Sequence, residues 1–378
     1  MKKVLFVIEC LGGGGAEKVL TTIVKNLDRT KFEVTVLTVV ETGVYVDEVK
    51  KYCRLKTMLP DYSTLKNPIE KMKYKLEYKF IYSAKTESVY KKYVKEQYDI
   101  EIAFVEGYAT KLVGVSSNIK SRKIAWVHTD MEKNIDSDMC YQSREQQVEI
   151  YKKFNKILCV SGSVRDAFQK KFFVSPQIMV QYNPIDEKEI LEKSKGGVEC
   201  IYPHGSMLIG TVGRLLPIKG YMRLAKCAKQ LNAEGYEFTI WIIGDGEDRL
   251  QLEQYIKINN LEEVVILLGF QKNPYQYLKQ CNVFICSSYA EGFSTAATES
   301  IILGKPVFTV ECAGMKELLL DSQCGDVVPN TDHELYLMLK RLVEGKYDLG
   351  KYQSAAKEKS RELSLKTRIH EIENVLEA

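Results

Sequence analysis

The sequence predicts an α/β protein made of two doubly wound domains, each a parallel sheet with helices on both faces, set against each other across a cleft. Three observations carry this expectation. Short β-rich runs alternate with helical patterns along the chain, the rhythm of βαβ units. The rhythm pauses once, at "VQYNPIDEKEI" and a polar stretch over 193–204, and restarts at "MLIGTVGRLLPIKG". And 378 residues exceed what one ordinary core organises, so two domains are the default.

The elements follow in order. "MKKVLFVIEC" imitates the start of a signal peptide, but its apolar part is short, lacks a small-residue cleavage site and runs into a glycine turn, so it is expected to be the first core strand, over 4–8. A helix is expected over 17–27, and further strands over 34–39, 100–104, 123–127 and 157–160. The second half repeats the pattern with strands over 208–212, 239–243, 264–268, 283–285 and 306–310. This gives a first domain over 1–190, a hinge near 186–206, a second domain over 207–360, and a tail over 361–378 whose amphipathic helix (365–376) is expected to pack back toward the first domain. In open sheets of this kind ligands bind at the carboxyl ends of the strands, so the chemistry should lie in the loops that follow them.

Composition excludes several classes. Hydrophobic residues are 45% and charged residues 28%, a globular balance, and no apolar run is long enough to span a bilayer. A net charge of +4 gives no reason to expect nucleic acid. Ten cysteines without a CxxC pair are expected to be reduced thiols of a cytosolic protein. The histidines, His128, His204, His333 and His370, lack structural-zinc spacing. One segment departs from the charge balance: 62–96 carries nine lysines against four glutamates and is rich in tyrosine. Lys71, Lys75 and Lys79 recur every four residues, as do Tyr74, Tyr78 and Tyr82; Leu76 and Phe80 form another such pair, and Lys85, Lys91, Lys92 and Lys95 extend the charge. A basic helix with interfacial tyrosines suits an anionic membrane surface. The plain alternative is a solvated helix whose tyrosines pack on the core.

Four strand-end motifs stand out. "LGGGGAEK" follows the first strand, and Gly14 and Gly15 would let the backbone approach a ligand at a helix N-terminus; a flexible turn is the alternative. "GRLLPIKG" opens the second half with Gly213 and two cations, Arg214 and Lys219, the residue types that grip phosphate oxygens; a salt-bridged loop is the alternative. "IIGDGED" ends another strand, with Gly244 and Asp245 at a turn that is nearly as well explained by the chain reversal itself. Most specific is "SSYAEGFSTAATESIILGKPV". Gly292, Phe293, Ser294 and Thr295 would put N–H groups at a helix start, between carboxylates Glu291 and Glu299 that can each accept hydroxyl hydrogen bonds. A diphosphate flanked by two polyols, a nucleotide sugar, fits such a site. Two competing sites are weaker. Asp136 and Asp138 form a DxD pair but follow no clear strand, and the glycine loop with Glu41 resembles a dinucleotide site that lacks its third glycine, Glu17 standing there instead.

Together, Glu291 and Glu299, the Arg214/Lys219 pair, the "GDG" turn, "YNPID" at 182–186 and the N-terminal glycine loop resemble the retaining glycosyltransferases of family 4 over essentially the whole chain. The resemblance implies the GT-B fold of two Rossmann-like domains. It implies that Arg214 and Lys219 bind the donor diphosphate, Glu291 the sugar hydroxyls and Glu299 the nucleotide ribose. His128, in "AWVHTDM", would sit near the donor sugar, so His128, Glu291, Arg214 and Lys219 are the expected catalytic set. "EGFST" is similar to the variant seen in transferases that build bacterial surface polysaccharides and lipid-linked oligosaccharides. The implied partners are therefore a nucleoside-diphosphate sugar, UDP-linked, and a glycan or undecaprenyl-diphosphate-linked acceptor. No metal and no other cofactor is implied, and the expected location is cytoplasmic, peripheral at the inner face of the plasma membrane. From other classes, a non-catalytic partner subunit on the same fold and a nucleotide-sugar epimerase or oxidoreductase remain open.

Overall fold

Runs of Val, Ile, Leu and Phe that are apolar on both faces form strands covered on both sides, which is the signature of a parallel sheet. The computed structural model, which describes residues 1–198, 207–321 and 323–378, contains two such sheets. The first unit spans Met1–Pro184 and Lys366–Ala378, and the second Ile185–Leu365. Part of the expected hinge, with His204, lies outside the described residues.

The first sheet holds seven strands: β1 (Lys2–Ile8), β2 (Phe32–Val40), β3 (Arg54–Leu59), β4 (Ile100–Ala103), β5 (Arg122–Val127), β6 (Lys156–Cys159) and β7 (Ile178–Val180), in the order β3-β2-β1-β4-β5-β6-β7. The second holds six: β8 (Met207–Val212), β9 (Phe238–Ile243), β10 (Val265–Gly269), β11 (Val283–Cys286), β12 (Val307–Val310) and β13 (Gly325–Val328), in the order β10-β9-β8-β11-β12-β13. Every pairing is parallel. In each sheet the winding reverses beside the unit's first strand, between β1 and β4 and between β8 and β11. Those reversals are where doubly wound sheets open a crevice for a ligand.

Three strands depart from the sequence expectation. β3, β7 and β13 were not foreseen, and all three lie at sheet edges. An edge strand buries less surface and is commonly short or polar, so its apolar run is weak. β3 reads RLKTML and β7 is three residues long. The central strands carry the cores. Phe6, Phe104 and Trp126 on or beside β1, β4 and β5 are fully buried, with ring centroids 5.8 Å (Phe6–Phe104) and 4.9 Å (Phe104–Trp126) apart.

The last helix, Leu365–Glu377, groups with the first unit. Its terminal carbonyls would otherwise be unsatisfied, and two cations take them. Arg122 donates to the carbonyls of Val375 (2.6 Å) and Leu376 (2.7 Å), and the Lys2 ammonium to that of Glu377 (2.6 Å). Ile372 and Leu376 are buried beneath it.

Candidate functional site

In the second unit the loops after β8, β9 and β11 are built on one another. The β8 loop carries Gly213 to Gly220. The Gly213 N–H donates to the Ile243 carbonyl (3.0 Å) and the Leu215 N–H to that of Asp245 (3.0 Å), so the "GDG" turn clamps the loop that bears Arg214. Gly244 makes this possible: its φ is +148°, and a Cβ there would lie 1.9 Å from the Gly213 carbonyl oxygen. Gly220 has the same kind of role on the other side. Its φ is +68°, and a Cβ would meet the Ser287 carbonyl oxygen at 2.1 Å. The Ser287 hydroxyl donates to the Lys219 carbonyl (3.0 Å) and the Tyr289 N–H to that of Ile218 (2.8 Å). The loops from the two strands flanking the reversal are thereby joined.

Three expected site residues meet at that junction. Lys219 Nζ lies 2.7 Å from Glu291 Oε1, and the same oxygen accepts a hydrogen bond from the Ser288 hydroxyl at 2.6 Å. Burial alone would lower the ammonium's affinity for its proton, but the Glu291 charge and hydrogen bond outweigh it and hold Lys219 above its ordinary value. Arg214 is exposed nearby, close enough for its charge to act on Lys219, and among the described residues its guanidinium takes no hydrogen bond or ion pair. Gly292 and Phe293 lead to Ser294, whose side chain caps the helix Thr295–Ile302 by accepting from the Ala297 N–H (3.3 Å). Such a cap contributes about 1 kcal/mol and leaves the Thr295 and Ala296 N–H groups without an acceptor inside the helix. Glu299 lies one turn further in and is buried, 4% exposed. Asp245 is exposed and turned on its own loop, accepting from the Gly246 N–H (2.8 Å) and lying 3.7 Å from Arg249.

The loop that presents Glu291 rests on a residue the sequence did not announce. Arg223 is 2% exposed. It donates to the carbonyls of Ser287 (2.7 Å) and Ser288 (2.9 Å) and to Asn330 Oδ1 (2.8 Å), with the Tyr289 ring 4.0 Å from its guanidinium carbon. Only its place on the buried face of the helix Tyr221–Ala233, an odd site for a cation, could have pointed to it. Ser288 was likewise unforeseen.

The first unit holds the other expected residues. Gly14 caps the helix Gly15–Asn26 without a side-chain bond, and the Glu17 carboxylate folds back beside it, 2.3 Å from where a Gly14 Cβ would stand. A carboxylate thus occupies the helix start where a ligand was expected. His128 follows β5. Its ring lies parallel to that of Trp126 (centroids 6.1 Å apart) and tilted against that of Phe104 (4.9 Å), and its Nε2 is buried with no partner among the described residues. Burial pushes its pKa down to about 3, so the ring is neutral at physiological pH and can share a hydrogen bond but not serve as a cation. The backbone there is held by Glu106, which accepts from the N–H groups of His128 (2.5 Å) and Thr129 (2.8 Å) while burial raises its own carboxyl. Glu106 follows β4 as Glu291 follows β11, each before a glycine and an aromatic residue. The competing sites are otherwise engaged: Lys171 binds Asp138 (2.7 Å), Lys50 pairs with Glu41, and no group of three or more potential metal ligands occurs among the described residues.

The basic segment forms the helices Pro68–Ser83 and Thr86–Tyr93. The first buries only Ile81, while Ile69 (63%), Met72 (58%) and Leu76 (63%) are exposed. At 3.6 residues per turn these three share one face and the tyrosines lie roughly opposite. No helix among the described residues is long and apolar enough to cross a membrane.

Comparison with known proteins agrees with this architecture. Residues 13–189 match the family described as Glycosyltransferase Family 4, and residues 202–362 match Glycosyl transferases group 1. The chain belongs to the family-4 type of glycosyltransferases, on the GT-B fold of two Rossmann-like domains. It is 28% identical over 369 residues to the N-acetylgalactosamine-N,N'-diacetylbacillosaminyl-diphospho-undecaprenol 4-alpha-N-acetylgalactosaminyltransferase of Campylobacter jejuni, covering 96% of this chain and 95% of that one. Over 165 residues, 41% of this chain and 40% of the other, it is 31% identical to the amylovoran biosynthesis glycosyltransferase AmsK of Erwinia amylovora. In fold it is similar to Anabaena HepE, whose structure is in complex with UDP (TM-score 0.74, 19% identity, all of both chains).

Proposed function

We propose that this glycosyltransferase moves a hexosyl group from a UDP-linked sugar to a glycan or undecaprenyl-diphosphate-linked acceptor, with retention of anomeric configuration, in the making of a bacterial capsule or exopolysaccharide. The observation that carries the donor assignment is the junction at the β8/β11 reversal. An exposed guanidinium, a charged lysine and a helix start converge there, with Glu291 and Glu299 on either side of the helix start. Arg214 and Lys219 would neutralise the departing diphosphate, and preorganised electrostatic stabilisation of this kind contributes several kcal/mol per well-placed group, on the order of 3. These cations take the place a divalent metal fills in other transferases, so no metal is required. The Lys219–Glu291 pair is held ready: when a diphosphate draws Lys219, Glu291 keeps its Ser288 bond and is free to accept sugar hydroxyls. The UDP bound by HepE and the undecaprenol-linked substrate in the Campylobacter enzyme's name support both ends of the reaction.

The same reading places the protein in the cytoplasm, peripheral at the inner face of the plasma membrane. The exposed Ile69, Met72 and Leu76, with Lys73, Lys75 and Lys79 around them, make a face suited to an anionic bilayer. Each lysine there would contribute about 1 kcal/mol. The tyrosines, expected from sequence to be the interfacial residues, lie on the other face. The test of the reaction is mass spectrometry of products after incubation with a panel of nucleotide sugars and lipid-linked acceptors, with and without EDTA. Transfer from a UDP-sugar that survives EDTA is expected. Transfer from no donor, or transfer abolished by EDTA and restored by manganese or magnesium, would contradict it.

A further inference from the structure

The tyrosines of the helix Pro68–Ser83 form a continuous ladder. Ring centroids are 5.1 Å apart between Tyr62 and Tyr74, 6.2 Å between Tyr74 and Tyr78, 4.7 Å between Tyr78 and Tyr82, and 4.9 Å between Tyr82 and Tyr108. Buried aromatic chains are common in cores, but this one is open: Tyr62, Tyr78 and Tyr82 are 43%, 46% and 43% exposed. Its inner end is fixed. Tyr108 is 5% exposed, and its hydroxyl donates to the Ile81 carbonyl at 2.8 Å, pinning the end of the helix. The Tyr108 N–H donates to the carboxylate of Glu9, the residue directly after β1. Glu9 therefore stands at the sheet's reversal, and its charge reaches Tyr82 as well.

We propose that this ladder is the track on which the acceptor saccharide lies, with Glu9 accepting a hydrogen bond from an acceptor hydroxyl at its inner end. The inference rests on the glycosyltransferase reading and assigns the acceptor side of it. Tyrosine offers an apolar ring face and a hydroxyl edge, which matches the apolar faces and hydroxyl rims of sugar rings. Successive tyrosines on the helix are four residues apart and rise about 6 Å along its axis, on the order of the length of one sugar residue in an extended chain. A carboxylate accepts from hydroxyls and has no use for an acyl chain. The lipid-suited residues Ile69, Met72 and Leu76 are on the opposite face, so the helix separates the two chemistries of a lipid-linked glycan.

The test uses the full-length protein, fluorescently labelled and saturated with UDP, on an array of bacterial oligosaccharides and surface polysaccharides. The wild type should bind at least one glycan. Tyr78→Ala and Tyr82→Ala should lower that binding at least ten-fold, Tyr78→Phe and Tyr82→Phe should keep most of it, and Glu9→Gln should weaken it. UDP affinity, measured separately, should be unchanged in the tyrosine variants, whose half-exposed positions leave the fold intact. Wild type that binds UDP but no glycan overturns the ladder proposal, as do alanine variants that bind like wild type. Wild type that fails to bind UDP instead overturns the donor-site reading.

Discussion

Arg223→Ala should destabilise the second unit and disable the site without removing any group expected to touch the donor. The arginine makes three charge-assisted hydrogen bonds of 2.7, 2.8 and 2.9 Å while 2% exposed, so solvent screens them little. Hydrogen bonds to charged groups contribute about 1.5–3 kcal/mol each. The full sum overstates the loss, because Asn330 Nδ2 still reaches the Ser288 carbonyl (3.3 Å) and the Tyr289 carbonyl (3.1 Å), and the cost of burying the guanidinium is relieved. A loss of about 3–5 kcal/mol remains, set by the Ser287 carbonyl and the Asn330 side-chain oxygen, which lose their donor at about 1–3 kcal/mol each. That is a large part of the roughly 5–15 kcal/mol that stabilises a domain. Arg223→Lys keeps the charge but not the fork, and should lose about half as much. Urea unfolding is the assay, in a Trp126→Phe background so that Trp241, the other of the chain's two tryptophans, reports the second unit alone. With a slope near 2 kcal/mol/M, the alanine variant's midpoint should fall by about 2 M. A lysine variant as stable and as active as wild type would refute the reasoning, because it would show that the fork does not hold the Ser287–Ser288 backbone.

Two further outcomes follow from the first unit. Its stability should fall on acidification: His128 has a folded pKa of about 3 against about 6.5 when unfolded, so its contribution is complete above pH 6.5 and is lost as pH falls toward 3. Between pH 7 and 5 this costs about 2 kcal/mol, and the raised Glu106 carboxyl acts in the opposite sense. Melting curves at both pH values should therefore show a smaller drop for His128→Phe than for wild type, and an equal drop would contradict the buried neutral ring. Vesicle co-sedimentation should show binding to anionic but not neutral liposomes, weakened by salt and by Leu76→Ser or Lys75→Gln; equal binding to both kinds of vesicle, or to neither, would remove the membrane face.

The strands flanking each reversal were legible because they are buried on both faces and read as uninterrupted apolar runs. The edge strands β3, β7 and β13 were not, since less burial leaves a mixed or very short signal. The loops proposed to hold the donor could be picked out for a related reason. Arg214 with Lys219, and Glu291 with Glu299, are each local in sequence, so spacing alone brings them together. Arg223 escaped because its partners, Ser287, Ser288 and Asn330, are 64 to 107 residues away and only the fold assembles them. The glycine loop shows the opposite failure: the motif and Glu17 within it were visible, but spacing could not show that the Glu17 carboxylate folds back onto the helix start. The tyrosine repeat was visible too. Which face of its helix met the rest of the unit depended on Ile81 and Tyr108, which periodicity cannot identify.

If the second unit's β8 and β11 loops bind the nucleoside diphosphate, calorimetric titration of the full-length protein with UDP will show it. Lys219 is expected to supply one charge-assisted phosphate contact of about 1.5–3 kcal/mol, so Lys219→Ala should bind UDP about 10- to 150-fold more weakly than wild type. Glu299→Ala should also bind more weakly, through lost ribose contacts, while Tyr78→Ala should bind as wild type does. Lys219→Ala binding UDP as tightly as wild type would contradict the assignment.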